Sequence, residues 1–153
     1  MLAACGGETP TGARVDSARD GDTILLSDGV RVRLVQVDAP ELRVECWGNE
    51  AAAALARLVA PGAELRLERD RDLDAVDRHG RLLRYAYADG RNVNVELVRI
   101  GAAAPYFYRG ERGRHADELV AATRAARAGR LGLWGACPSA VLRPTRAIDT
   151  GRS

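Results

Sequence analysis

The chain has 153 residues, 46% hydrophobic and 29% charged, which suits one packed domain and is too apolar for a disordered segment. Its longest apolar stretch, residues 51–60, is interrupted by Arg57 and falls short of the roughly 20 residues a membrane-spanning helix needs, so such a helix is excluded. Twenty-three basic residues against 21 acidic leave a formal charge of +2, and a nucleic-acid partner must therefore be argued from where charges sit rather than from their sum. All the basic residues are Arg, the better bidentate ligand for phosphate.

Residues 1–12 read as a lead-in. Met1 to Gly7 (Met-Leu-Ala-Ala-Cys-Gly-Gly) is similar to the processing site of a bacterial lipoprotein. On that reading Cys5 carries a lipid anchor, the true start lies upstream of Met1, and the protein is secreted or held at the cell envelope. The other reading is an accidental likeness. The domain is expected over 13–137. Val15, Thr23 to Leu26 and Val30 to Val37 are short runs of β-formers, with Asp28-Gly29 as a hairpin turn between the last two. A helix is predicted over Glu50 to Ala60, where Ala51, Leu55, Leu58 and Val59 share a face before Pro61-Gly62. Ala63, Leu65 and Leu67 alternate with charged residues as a strand, and Leu83, Tyr85 and Tyr87 mark another that ends at Asp89-Gly90. Two helices follow, one capped by Asn92 and running through Ile100, the other over Glu111 to Ala128. From Pro138 the periodicity fades, and 138–153 reads as a flexible tail.

The predicted class is α+β, mainly β: five strands with a helix between the third and fourth, three α-helices in all, in the order of an OB-fold barrel. No Cys-x-x-Cys pair is present, which speaks against structural zinc. In an exported protein Cys46 and Cys137 are the natural disulfide, closing a loop of about 90 residues worth about 4 kcal/mol in the chain-entropy model; two separate buried thiols are the alternative. Trp47 and Trp134 are expected to pack around that junction.

Polar chemistry gathers in three places. Asp20-Gly21-Asp22-Thr23 is a turn feeding a strand. Arg33 to Glu41 (Arg-Leu-Val-Gln-Val-Asp-Ala-Pro-Glu) runs an apolar strand into a carboxylate, a Pro corner and a second carboxylate. Asp77-Arg78-His79-Gly80-Arg81 is a charged turn entering a strand. Each alone has an ordinary explanation as a turn or a solvated loop. Asp22 and Asp38, brought to neighbouring strand ends, would make half of an oxygen-rich site for a hard divalent cation.

Taken in order, these segments resemble the staphylococcal nuclease, or thermonuclease, family. The likeness spans about Ala13 to Trp134 and continues through Tyr87-Ala88-Asp89-Gly90, Val93-Asn94-x-x-Leu97-Val98, Tyr106-Phe107-Tyr108 and Leu133-Trp134. It implies a calcium-dependent endonuclease that hydrolyses DNA or RNA at the 5′ phosphoester bond and leaves 3′-phosphate ends. Arg33, Glu41 and Arg81 stand at the family's catalytic positions. Asp22, Asp38 and the backbone carbonyl of Ala39 stand where Ca²⁺ is held, Ala39 replacing a common Thr. Arg78, His79, Tyr106 and Tyr108 stand where substrate is contacted, with Arg78-His79 in place of the usual Lys-Tyr; the tyrosines also admit a reading as a packed rim cluster. A monomer is implied by analogy.

Phosphodiester hydrolysis needs a proton acceptor and charge to meet the growing oxyanion. Arg cannot deprotonate, so proton abstraction falls to Glu41, the expected base, or to bulk water, while Arg33 and Arg81 grip the phosphate. Strict alternation puts Asp38 on the opposite face from Arg33, so a bend or bulge between them is required for a common site. Asp20 reads as a turn-maker or an outer acid beside the metal, and His115 as an exposed residue opening the last helix. A binding-only OB module lacking catalysis is the main alternative, and an envelope adaptor a third; retention of Asp22, Asp38 and Glu41 argues against the module.

Overall fold

The computed structural model describes residues 12–153; Cys5 and residues 1–11 of the expected leader lie outside the described residues. Strands β1 (Ala13–Ala18), β2 (Thr23–Leu26) and β3 (Arg31–Leu34) form an antiparallel meander. The β2–β3 turn is fixed where Val30 N–H donates to Asp28 Oδ1, as Asp-Gly turns require. A two-residue strand β4 (Val37–Asp38) follows, then α1 (Gly48–Leu58), β5 (Glu64–Glu68) and β6 (Leu82–Ala88). Strand β5 pairs antiparallel with both β1 and β6. Strand β6 closes the sheet by pairing parallel with β3, Val32 opposite Leu82 and Leu34 opposite Arg84. The five strands thus form a closed barrel in the order β3-β2-β1-β5-β6, the OB arrangement, and closure leaves β3 no bare edge.

The short strand β7 (Arg91–Asn92) leads into α2 (Val93–Arg99), with β8 (Ala104–Pro105) pairing back onto β4. A 3-10 turn (Tyr108–Gly110), helix α3 (Ala116–Ala128) and a single turn, α4 (Leu133–Ala136), follow. Alternation along β5 buries Leu65 and Leu67 and exposes Glu64 and Arg66, while α1 contributes Ala51, Ala54 and Leu55 to the same core as Leu97 and Leu119. Asn92 caps α2 through its side chain, accepting from Val95 N–H at 3.2 Å.

Two boundaries differ from expectation. Helix α1 runs from Gly48 to Leu58 rather than 50–60, because Trp47 adopts the left-handed region (φ 70°) and Val59 leaves helical geometry before Pro61. Helix α3 starts at Ala116, not Glu111. Arg109 and Gly110 have positive φ, and the backbone of 113–114 is drawn off by side chains, Gly113 N–H donating to Gln36 Oε1 and Arg114 N–H to Asp70 Oδ2. Gly113 tolerates no Cβ, which would fall 2.5 Å from both Asp70 Oδ2 and the Tyr85 hydroxyl.

Residues 138–153 are not a loose tail. Val141 N–H donates to Asp149 O at 2.7 Å, Cys46 N–H to Gly151 O at 2.8 Å, and Ile148 and Thr150 are 4% and 1% exposed. Apart from the Val141–Asp149 pair, the partners of this segment are residues about a hundred positions away, Asp38 and Cys46 among them, so no local periodicity announces the packing. Cys46 and Cys137 form a disulfide with Cα atoms 6.0 Å apart, pinning the root of this segment to the loop before α1. Trp47 packs against the barrel core, and Trp134 lies under the Arg127 guanidinium at 5.1 Å. Replacing both cysteines by serine is expected to cost about 2–5 kcal/mol in urea unfolding, and dithiol reduction should destabilise the wild type by the same amount while leaving the double variant unchanged.

Candidate active site

The Asp20-Gly21-Asp22 turn and the Asp38-Ala39-Pro40 corner touch at Gly21, where a Cβ would lie 2.5 Å from Ala39 Cβ and 2.9 Å from Ala51 Cβ. Only a residue without a side chain lets the two corners approach this closely. Asp20 shapes the turn, its Oδ1 accepting from Asp22 N–H at 2.9 Å. Asp22 Oδ2 then accepts from Ala39 N–H at 2.8 Å and its Oδ1 from the Thr23 hydroxyl at 3.2 Å. It is the N–H of Ala39, rather than its carbonyl, that reaches Asp22.

Arg33 lies at the centre. The chain turns between β3 and β4 at Gln36, held at φ 65°, and this turn places Asp38 on the same side as Arg33. Arg33 Nη2 meets Asp38 Oδ1 at 2.7 Å and Asp22 Oδ2 at 3.3 Å, while Nη1 donates to the carbonyls of Leu34 and Val37, both at 2.7 Å. The Arg33 side chain is 11% exposed. Asp38 Oδ2 accepts from Ile148 N–H at 2.9 Å.

Two carboxylates, Asp22 and Asp38, therefore hold one guanidinium, with Asp20 in the turn beside Asp22. Burial pushes Asp38 up to about 6; Arg33 opposes this and the charge of Asp22 adds to it. Asp20 is raised for the same reasons, burial first and then Asp22. The site thus carries uncompensated negative charge on hard oxygen donors, a set that fits a calcium or magnesium ion. Among the described residues no group of three or more His, Cys, Asp or Glu side chains converges as ligands, so an ion here would take at most Asp22 and Asp38 from the side chains and its remaining ligands from carbonyls and water.

A cleft of about 420 Å³ opens beside this cluster, and Arg33, Arg81, Arg78, His79, Tyr106 and Tyr108 all line it. Arg81 is oriented by Asp77, whose Oδ2 accepts from Nε at 2.7 Å, and its Nη1 reaches the Thr23 hydroxyl at 3.4 Å, next to Asp22. Burial would raise Asp77, but the amide and guanidinium of Arg81 outweigh it and hold the carboxyl below its ordinary range. Arg78 and His79 are exposed at the rim, joined Nε to Nε2 at 3.1 Å. Phe107 is buried, and the tyrosines on either side face the cleft with ring centroids 6.3 Å apart.

Glu41 is not part of the cluster. It is exposed on the turn after Pro40, its N–H donating to Glu45 Oε2 at 2.6 Å, and its carboxylate makes no ion pair among the described residues. His115 precedes the last long helix as expected but is only partly exposed: its ring is edge-on to Tyr85 at 4.6 Å and bridges the Tyr87 hydroxyl (3.1 Å) and Glu118 Oε2 (3.0 Å), away from the cleft.

Residues 31–136 match the family model described as staphylococcal nuclease homologue. The chain belongs to that family. It is 33% identical over 128 residues to "Endonuclease YncB" of Bacillus subtilis, covering 78% of this chain and 60% of that protein. It is 40% identical to "Protein ParB" of Escherichia coli, covering 75% and 67%, and 33% identical to an uncharacterized endonuclease of Haemophilus influenzae, covering 88% and 71%. The chain spans 60% of YncB and 43% of the B. subtilis prophage-derived endonuclease YokF.

Two residues quoted within the sequence motifs but given no role there, Asn94 and Gln36, hold the site together. Asn94, fully buried, donates from Nδ2 to Val35 O and accepts at Oδ1 from Ala86 N–H, tying the approach to the bend onto β6. Gln36, 6% exposed, links the bend to the tyrosine loop: its carbonyl accepts from Tyr106 N–H, its Nε2 donates to Glu111 O and its Oε1 accepts from Gly113 N–H. A polar residue inside an otherwise apolar strand run was the available signal. Gln36→Gly relieves a left-handed backbone but removes two buried hydrogen bonds, each worth about 1 kcal/mol. The expected outcome is a net loss of about 1 kcal/mol in urea unfolding with markedly faster hydrogen exchange at the Gly113 amide; unchanged exchange there would show that Gln36 does not hold the loop.

Proposed function

We propose that this protein is a calcium-dependent nuclease of thermonuclease type, hydrolysing DNA or RNA internally at the 5′ phosphoester bond to leave 3′-phosphate ends. The observation that carries the reading is the single cleft in which Arg33 and Arg81 face Tyr106 and Tyr108 while Arg33 is braced from behind by Asp22 and Asp38. The endonuclease names of the relatives and the family match support the same reading.

Arg33 has three of its five donors committed by hydrogen bonds to Leu34 O, Val37 O and Asp38 Oδ1, with Asp22 Oδ2 as an ion-pair partner of Nη2 at 3.3 Å, and Nε–H is left for a phosphate oxygen. Arg81, with Nε on Asp77 and Nη1 at Thr23, presents Nη2. Both are permanent charges held before substrate arrives, which is what stabilisation of a developing oxyanion needs. Glu41, exposed on the turn after Pro40, outside the cleft lining and without an ion pair among the described residues, is the acid that would take the proton of the attacking water with substrate bound. Tyr106 and Tyr108 give the bases or sugars an aromatic wall, with Arg78 and His79 at the phosphates of the flanking strand. Asp22 and Asp38, with a backbone carbonyl at Ala39, are the residues that would hold Ca²⁺, which supplies positive charge to a non-bridging phosphate oxygen when bound. The Cys46–Cys137 disulfide supports action in an oxidising compartment, as a secreted or envelope-held monomer.

The test is cleavage of single-stranded DNA and RNA with Ca²⁺ or with chelator. Glu41→Gln is expected to lower kcat by about 10²–10⁴ with KM little changed. Calcium-independent binding without cutting would instead identify a non-catalytic OB module.

Metal binding carries a sign that can be checked. A carboxyl raised to about 6 in the fold is harder to ionise there than in the unfolded chain, so Asp38 subtracts stability above pH 6, and that cost disappears below the ordinary carboxyl range. Calcium should therefore raise the melting temperature most above pH 7, with the shift lost as the pH falls through about 6 and absent in Asp38→Asn.

A further inference from the structure

Residues 138–153 lie beyond the family-matched stretch, which ends at residue 136, and they return across one flank of the site. The Pro144 carbonyl accepts from the N–H of Phe107, the residue between the two cleft tyrosines. Ile148 N–H donates to Asp38 Oδ2 at 2.9 Å. The Thr150 hydroxyl donates to Cys46 O at 2.7 Å, and Cys46 N–H donates to Gly151 O at 2.8 Å. Cys46 also holds the root of the segment through its disulfide to Cys137, so the strap is fastened at both ends to one residue.

We infer that this strap is a positioning element for Asp38, acting through the Ile148 amide. The inference rests on the reading of Asp22, Arg33 and Asp38 as the working site. A carboxylate held by one partner can rotate about its terminal torsion. Arg33 holds Oδ1 at 2.7 Å from one side, and the Ile148 amide holds Oδ2 from the other, so the plane of the carboxylate is fixed. The burial of Ile148 and Thr150 keeps that amide in place. Because the donor belongs to the backbone, any residue but proline at position 148 supplies it, and sequence comparison is blind to it. Ile148 is thus a positioning residue, and neither it nor the rest of the strap need touch substrate.

Two variants separate the amide from the side chain. Ile148→Pro deletes the donor, whereas Ile148→Ala keeps it and removes only apolar contact. Calcium affinity by calorimetry and kcat and KM on single-stranded DNA are then compared with melting temperature. Ile148→Pro is expected to weaken calcium about 10- to 100-fold and to lower kcat with KM little changed, as loss of a group that orients a metal ligand does. Ile148→Ala should melt lower yet keep calcium affinity within about twofold, well short of the change expected of a lost orienting group. If both variants lose affinity in step with their loss of melting temperature, or if the proline variant binds calcium like the wild type, the strap is packing alone and the inference fails. A third measurement needs neither metal nor substrate: in metal-free Asp38→Ala, hydrogen exchange at the Ile148 amide should quicken while the Cys46 amide stays protected. Unchanged exchange at Ile148 overturns the inference. A wild type that neither binds calcium nor cuts DNA would end the nuclease reading, and the exchange result would still decide the strap.

Discussion

The buried guanidinium of Arg33 is the constraint around which the rest is arranged. An ion taken out of water must recover its solvation from fixed partners, and one left without them costs several kcal/mol. Arg33 recovers it from the carbonyls of Leu34 and Val37 and the carboxylates of Asp22 and Asp38. Those four oxygens converge only if the strand stops at Leu34, turns, and resumes at Val37. The left-handed backbone at Gln36 costs about 1–3 kcal/mol by itself, and the clasp it makes possible offsets that cost. The same turn brings Asp38 beside Asp22, so the anionic patch and the cationic centre arise from one piece of geometry.

Much of this was legible from residues. Alternation and turn chemistry placed the barrel strands, and Asn92 was read correctly as a cap, because these features are local. The parity conflict between Arg33 and Asp38 pointed to a bend from spacing alone, since a pleated strand cannot show residues five apart on one face. What was not legible depends on partners far along the chain. The tail from Pro138 has no periodicity, yet it is ordered by amide contacts to residues 44–46 and to Asp38. The start of α3 at Ala116 was misplaced because Glu111 to His115 has a helical composition, while Gln36 and Asp70 draw the amides of Gly113 and Arg114 into other bonds. The exposure of His115 was misread for a similar reason: its partners Tyr85 and Tyr87 come from a strand some thirty residues earlier, and only Glu118 is a helical neighbour.

The two arginines of the cleft are prepared in different ways. Arg33 is sealed, 11% exposed, and has almost no freedom left, so under the proposed function it would meet an incoming phosphate without reorganising. Arg81 is held by a single carboxylate, Asp77, and its side chain is 24% exposed at the end of a turn. Asp77 also accepts the N–H groups of His79 and Arg81, so one side chain shapes the turn and aims the guanidinium. A rigid charge beside a more adjustable one suits a polymer substrate, where the reacting phosphate must be placed closely but the flanking chain enters in many conformations.

The acids show why the charge balance of the whole chain says little about its chemistry. The formal charge is +2, yet the guanidinium of Arg33 is held by two carboxylates, Asp22 and Asp38, and it lines the cleft together with Arg78 and Arg81. Separation of the two signs across Arg33 is the useful property. Negative charge behind the guanidinium keeps it in place and, under the proposed function, would invite a cation, while positive charge in front would draw the phosphate. Removing either side leaves the other buried and uncompensated, so the acids and arginines are coupled through Arg33 and their individual contributions will not add.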